Sequence, residues 1–416
     1  LIPQLNSDQL RVFNYVTSAL KSGTPLTHFV SGVGGTGKSY LIQSLGVVHT
    51  VWVKEELQKE VAVTAPTGLA ARQLSGHTIH KFLQLPVVHG TISMVSNVLL
   101  PIIHLRLSEI MNVNNAIENA WFGNVPILGL GDLLQLSPVN GKQIFLPLTK
   151  DADDCEKCLS SLGAINLWEE CFTYDELTIN MRQKEDKEFA ELLSQVRLGF
   201  CSTKTKATLE SRLIPFTALS SVNERLEELS NFVHNSSANS VSLFPVNAMS
   251  DTLNSAVLDR LQGETIILKS IKMDCKIPTF SGVFVYRTQF PITLAYGNRI
   301  FTAGQSYVAL SRVTSLNGVN LINFDPSKIK ESELAIKEYN RLRAKYTPHF
   351  GKLKVFQSKQ KISPDRTWTG FNDIDNGNAL HSGLIQDSRL QHNLPSFQNS
   401  DSVHAMQMHH CNAYLA

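Results

Sequence analysis

The sequence is short of charge: Asp, Glu, Lys and Arg make up only 18% of its 416 residues, and they nearly cancel at a formal +2. No global basic field therefore announces a nucleic-acid partner, and any such partner must be gripped by local grooves. Cysteine is sparse as well. The six cysteines are scattered, which argues against a disulfide scaffold and reads as a reduced, intracellular chain. No apolar run approaches the ~18–20 residues of a membrane span, so no membrane partner is expected, and no signal peptide opens the chain. The first residue is Leu1 rather than methionine, so the natural start and any targeting peptide are expected upstream. What is present is apolar: 43% of residues are hydrophobic, enough for real cores, and the length has room for two or three domains.

The first half alternates strand and helix patterns. Ser7 is a plausible N-cap for a helix with Leu10, Phe13, Val16 and Leu20 near one face. A strand at Thr27–Ser31 runs into a glycine-rich turn and a helix over Tyr40–Leu45, and a second strand, Val61–Ala65, precedes another turn and helix. Met94–Met111 reads as helix, and Pro126–Gly131 as a buried strand ending in Asp132. Such alternation predicts a parallel sheet wrapped by helices, an α/β domain over residues 1–150. A loop from about Val139 to Leu162 leads to a second α/β region over 163–346. There Phe189, Leu192, Leu193 and Val196 follow helical spacing with Gly199 as a stop, and Ala335, Tyr339, Leu342 and Tyr346 form another stripe. From 347 to 416 Asn, Ser, Gln and His dominate, and this tail is expected to be largely disordered.

Gly32-Val33-Gly34-Gly35-Thr36-Gly37-Lys38-Ser39 fits the P-loop pattern without a mismatch. Glycines let successive backbone N–H groups turn inward around phosphate oxygens, and the helix N-terminus adds partial positive charge. Lys38 is placed to reach the β- and γ-phosphates of ATP, and the Ser39 hydroxyl to ligate Mg2+. The alternative, a chance glycine-rich turn, fails to account for the strand before it and the helix after it.

Further blocks assign the P-loop a trade. Val63-Thr64-Ala65-Pro66-Thr67-Gly68-Leu69-Ala70-Ala71 with Gly76-His77-Thr78-Ile79-His80-Lys81-Phe82 resembles motif Ia of the PIF/RecD-type superfamily-one DNA helicases and its extension. Gly131 to Val139 resembles motif III, Leu177 to Gln183 motif IV, and Tyr307 to Arg312 motif VI; Asn6 and Gln9 resemble the adenine-reading segment. The blocks stand in family order from Leu5 to Phe324, and the wording is especially close to transposon-associated members. The resemblance implies a P-loop NTPase of two RecA-like parallel-sheet domains, using ATP and Mg2+ on single-stranded DNA with five-prime to three-prime polarity. It implies that Gln135 couples the γ-phosphate to the DNA cleft and that Arg182 and Arg312 act as arginine fingers. It gives Thr67, Thr78 and His80 to the single-strand path, where they would otherwise be ordinary turn and cap groups. It further implies work in DNA repair, recombination or telomere maintenance, in the nucleus or the mitochondrion.

Three family pieces are missing. The acid pair that completes the magnesium shell and orients water should precede Ile92-Ser93-Met94-Val95, but Gly90 and Thr91 stand there. After Phe290 to Gly297 the DNA-gripping motif V gives way to Asn298-Arg299-Ile300-Phe301, and a third gap lies between Gly263-Glu264 and Ile277-Pro278. Asp132 imitates the lost acid but sits in motif III, and Asp175-Glu176 lies just ahead of motif IV. Turnover is therefore expected to be impaired, with a catalytically inactive nucleotide- and DNA-binding remnant as the competing reading. Cys155-x-x-Cys158 lacks a second pair at zinc-ribbon spacing, and His404, His409, His410 and Cys411 sit in the polar tail; neither is assigned a metal. Trp52, Trp121, Trp168 and Trp368 read as core or surface anchors rather than stacking platforms.

Overall fold

The computed structural model describes residues 4–46, 60–85, 94–111, 120–138, 141–149, 165–217, 221–236, 240–244, 247–260, 292–295, 300, 302–354 and 411–415. In chain order these form α1 (Ser7–Ser22), β1 (Thr27–Gly32), α2 (38–46), β2 (Glu60–Ala65), α3 (Gly68–Gln73), β3 (His77–Thr78), α4 (Ile79–Leu83) and α5 (Leu99–Ile110). There follow β4 (Ile127–Gly131), α6 (Leu167–Cys171), β5 (Thr173–Leu177), α7 (Lys187–Arg197), α8 (Thr203–Glu210), α9 (Val222–Asn235), β6 (Val241–Leu243) and α10 (Asn247–Leu258). The last are β7 (Ile292–Ala295), α11 (Gln305–Leu310), β8 (Val319–Ile322), α12 (Glu333–Tyr346) and β9 (Cys411–Leu415). The chain divides into two compact units: residues 1–181 with 332–355 and 382–416, and residues 182–331 with 356–381.

The first unit is a parallel six-stranded sheet in the order β3-β2-β9-β4-β1-β5. β1 lies inside it, paired with β4 and β5, and its Phe29, Val30 and Ser31 are buried. A parallel strand covered on both faces needs such an apolar run. One core joins Val12, Phe13 and Val16 of α1 to Leu41 and Leu45 of α2 and to Leu128, Leu130 and Leu177 of the sheet. Elsewhere Trp168 packs edge-on to Phe29 at 4.9 Å and stacks on Phe172 at 5.3 Å. Trp168 is thus the core anchor expected of it, whereas Trp52 and Trp368 lie outside the described residues.

α1 starts one residue earlier than the Ser7 cap predicts. Asn6 is the N-cap, and it forms a capping box with Gln9: Gln9 N–H donates to Asn6 Oδ1 and Asn6 N–H to Gln9 Oε1. Phe13, Val16 and Leu20 are buried as predicted, but Leu10 faces solvent.

α12 belongs to this first unit, although its position in the chain suggested the second region. Ala335, Ile336, Tyr339 and Leu342 are buried on it, Tyr346 is half-buried, and three polar contacts tie it down. Glu338 accepts from Trp168 Nε1 at 2.7 Å, Tyr339 donates to Asp132 Oδ1 at 2.9 Å, and Arg343 forks onto Glu176 at 2.6 and 2.8 Å. Residues 163–181 likewise fall in the first unit. Within the tail from 347, residues 348–350 form a helical turn and Cys411–Leu415 is an inner strand, while 355–410 lie outside the described residues.

The second unit holds a parallel sheet in the order β6-β7-β8. Phe189, Leu192, Leu193 and Val196 of α7 bury their predicted stripe against Ile292, Leu294, Tyr307, Leu310 and Leu321, and Gly199 ends that helix region at φ 68°. Each fully buried side chain of this size contributes about 1.5–3 kcal/mol. Among the described residues no helix is long and apolar enough to cross a membrane.

Candidate functional site

The P-loop leaves the C-terminal end of β1 and enters α2, the context the motif requires. Gly35 and Gly37 take φ of 97° and 78°, and a Cβ on Gly37 would run into the Gln9 amide. Thr36 is buried and bonds back to the Val33 carbonyl through both N–H and Oγ1, at 3.3 and 3.0 Å. Lys38 Nζ curls onto the Gly32 and Val33 carbonyls at 2.5 and 3.1 Å. Ser39 is exposed on the first turn of α2.

Two neighbours lock the loop. Gln9, 3% exposed, donates from Nε2 to the Thr36 carbonyl at 3.1 Å while its Oε1 accepts from Asn6. Both ends of this amide are therefore used on protein backbone, and Gln9 acts here as a brace for the loop. On the other side Met181 N–H donates to the Gly35 carbonyl at 2.9 Å, so the segment read as motif IV touches the loop.

Among the described residues the acids near the loop are engaged. Because Ser31 pairs with Gly131, β4 delivers Asp132 beside the start of the P-loop. Asp132 is 5% exposed, and its Oδ1 accepts from Leu134 N–H at 3.1 Å and from the Tyr339 hydroxyl, which also bonds Ser31 Oγ. Gln135 closes the turn after β4, its N–H donating to the Asp132 carbonyl at 3.1 Å. Asp175 pairs with Arg11 and Glu176 with Arg343. Asp8 takes three bonds from Thr178 and Ile179: burial pushes its pKa up, but the Thr178 bonds and Arg11 outweigh it and hold the carboxyl below its ordinary value. Gly90 and Thr91 lie outside the described residues, as do residues 261–291 and 296–299.

The residues read as DNA contacts sit on three short elements after β2. Thr67 caps α3 and Thr78 caps α4, accepting from Ala70 and Lys81 N–H at 3.3 and 3.2 Å. Their hydroxyl protons are left over for another acceptor. His80 is instead buried; burial lowers its pKa, so it is neutral at pH 7 and no cation for a phosphate. Arg72, His77 and Lys81 are exposed on the same elements, and none of the three was singled out by the sequence as a DNA contact. Gly76 is required by packing, since a Cβ there would overlap the Val63 carbonyl of β2.

In the second unit Arg182 and Arg312 come together. Arg182 donates to the Ser311 carbonyl at 2.7 Å, and Gln183 to the Val313 carbonyl at 2.5 Å. Burial first, and then the like charge of Arg312, pull the Arg182 pKa down. Two guanidinium groups held against their repulsion suit a polyanion. Among the described residues no cluster of His, Cys, Asp and Glu is arranged for a metal ion, and Cys155, Cys158, His404, His409 and His410 lie outside them. The cradle thus fits a nucleotide's phosphates, with the Ser39 hydroxyl as an oxygen for an accompanying cation.

Residues 4–98 match the family model for PIF1-like helicases. The chain is 22% identical over 453 residues to the ATP-dependent DNA helicase PIF1 of Xenopus laevis, covering 86% of this chain and 67% of that protein. It spans about two thirds of the length of the curated relatives it matches. Among solved structures, Pif1 helicase from Candida albicans superposes with a TM-score of 0.58 at 19% identity, covering 82% of this chain and 99% of that one. Pif1 from Bacteroides in complex with ADP-AlF3 and ssDNA gives 0.55 at 17%, covering 82% and 97%. The fold is that of the RecA-like P-loop helicases, and the chain is similar in sequence to Pif1 DNA helicases, most directly over residues 4–98.

Proposed function

We propose that this chain is an ATP- and single-stranded-DNA-binding motor of the Pif1 type whose hydrolysis is impaired. The observation that carries the binding half is the braced P-loop: Gln9 and Met181 hold its Thr36 and Gly35 carbonyls, and the Lys38 ammonium, lying on the Gly32 and Val33 carbonyls, would exchange them for phosphate oxygens. Bound there, MgATP would supply the transferable γ-phosphoryl group and the charge neutralisation of the metal. Lys38 would meet the β- and γ-phosphates, Ser39 the magnesium, Gln135 the γ-phosphate side, and Arg182 and Arg312 the charge developing in transfer. Thr67 and Thr78 would offer hydroxyls to DNA phosphates, joined by exposed Arg72 and Lys81, while buried His80 is left a structural part. By its kinship the motor would move five-prime to three-prime, in the nucleus or else the mitochondrion, in repair, recombination or telomere maintenance.

The impairment rests on the acids. Asp132, Asp175 and Glu176 are each committed to protein partners, and Gly90 and Thr91 bring no carboxylate. Loss of an arginine finger alone costs about 10³–10⁵ in rate in related hydrolases, and loss of the acid pair should cost no less. Calorimetry with an ATP analogue and magnesium tests binding: Lys38→Ala should weaken it at least about tenfold, and equal affinity would refute the P-loop's role. Phosphate release with and without single-stranded DNA tests turnover, and robust stimulation would overturn the impairment. The second reading, a remnant that binds but never hydrolyses, is favoured by the same engaged acids and predicts no turnover at any DNA concentration.

A further inference from the structure

β2 and β4 do not pair with each other in the sheet of the first unit. β9 lies between them, parallel to both, with Val61↔Asn412, Ala62↔Ala413 and Val63↔Tyr414 on one side and Ile127↔Ala413 and Leu128↔Tyr414 on the other. Among the described residues between β2 and β4 in the chain, the strand β3 lies on the outer edge of β2, so no local segment fills the position. The occupant comes from beyond the second unit in sequence. We infer that β2 and β4 form a strand-acceptor slot, filled by the chain's own Cys411–Leu415 as a surrogate inner strand.

Neighbouring strands lie about 4.7–4.9 Å apart, so an inner strand holds its two neighbours about 9.5 Å from each other. That gap is too wide for β2 and β4 to satisfy one another. Without an occupant the facing N–H and C=O groups of both strands would lose their partners inside a covered sheet, which is costly. Recognition runs through the backbone, as in β-augmentation, so the ligand is an extended peptide segment. The slot also spaces the candidate site. β2 leads to Thr67 and β4 leads to Asp132 and Gln135, so a remote segment fixes the separation of these two loops. The slot itself does not depend on the activity proposed above.

The register supplies the test. Glu60 pairs with Cys411, and paired residues of parallel strands lie within the Cα separation of about 4.4–6.8 Å that a disulfide spans. In the full chain carrying Glu60→Cys, mild oxidation should link the introduced thiol to Cys411, and Cys411→Ser should abolish the link; peptide mapping that finds no such link overturns the slot. Ala413→Pro, which no central strand accommodates, should speed amide exchange in Val61–Ala65 and Ile127–Gly131 at least about tenfold. A synthetic peptide with the wild-type sequence of residues 408–416 should restore that protection, and the same peptide carrying Ala413→Pro should not. Unchanged exchange in the variant, or no restoration by the wild-type peptide, overturns the inference even if the variant unfolds.

Discussion

Arg343→Met would release α12 from the sheet at one point. The Arg343 guanidinium meets both Glu176 oxygens, Nη2 to Oε1 at 2.6 Å and Nε to Oε2 at 2.8 Å. The two side chains are only 12% and 6% exposed. Methionine keeps most of the stem packing but strands the carboxylate, with the Tyr174 hydroxyl at 3.2 Å as a remaining donor. Breaking such a buried pair on one side costs about 3–5 kcal/mol. For a unit of this size that lowers the midpoint of thermal unfolding by on the order of 10 °C. Replacing both partners, Glu176→Met with Arg343→Met, removes the stranded charge and should return stability to within about 1 kcal/mol of wild type. Urea unfolding of the four proteins gives the full cycle, read on the first unit's transition because two units need not melt together. A single variant losing less than about 1 kcal/mol would refute the reasoning, as would a double variant as unstable as the single.

Burial holds the His28 imidazole neutral until about pH 4, against an ordinary 6.5, with Asp175 pulling weakly the other way. The unfolded chain therefore takes up this proton first, so stability is complete above about pH 6.5 and falls by about 3 kcal/mol as pH drops toward 4. His28→Gln should flatten that slope in pH-dependent urea titrations, and an unaltered slope would count against it. Gly76→Ala should cost about 1–3 kcal/mol through overlap with the Val63 carbonyl, and an unchanged melting curve by circular dichroism would remove the packing argument. Binding to a labelled oligonucleotide should be sequence-tolerant and salt-sensitive, and Arg72→Ala or Lys81→Ala should each lower the log–log salt slope by about 1 in fluorescence anisotropy. Slopes equal to wild type would move the DNA path elsewhere.

The sequence made the P-loop legible because its chemistry is local: eight consecutive residues, a strand before, a helix after. The stripes of α7 and α12 were legible for the same reason, since Phe189, Leu193, Tyr339 and Leu342 declare a buried face by spacing alone. A stripe says which face is covered, not what covers it. α12 was accordingly read with the second region, although Tyr339, Glu338 and Arg343 bind partners at Asp132, Trp168 and Glu176. Those contacts join residues far apart in the chain and leave no periodic mark. Gln9 resembles a base-reading amide, and spacing alone does not show that the capping box with Asn6 also sets its side chain against the loop. His80 goes to the single-strand path by resemblance alone, since α4 is too short for its pattern to separate the inner from the outer face. β9 was invisible for a plainer reason: five residues in a polar stretch are below what alternation can distinguish.

The helix α12 has a consequence for how the protein is made. Its buried partners on the first unit were translated long before it, and residues 182–331 of the second unit are synthesised in between. A ribosome-bound chain that has reached Met181 holds the P-loop, β4 and β5, but Trp168, Asp132 and Glu176 still wait for Glu338, Tyr339 and Arg343. Docking of α12 on the first unit is thus a late event that follows synthesis of residues 182–331, and contacts of such long sequence separation form slowly. During that interval the apolar floor around Phe29, Trp168 and Tyr174 is open to other chains, so folding in a cell should lean on holdase chaperones until residue 346 has emerged.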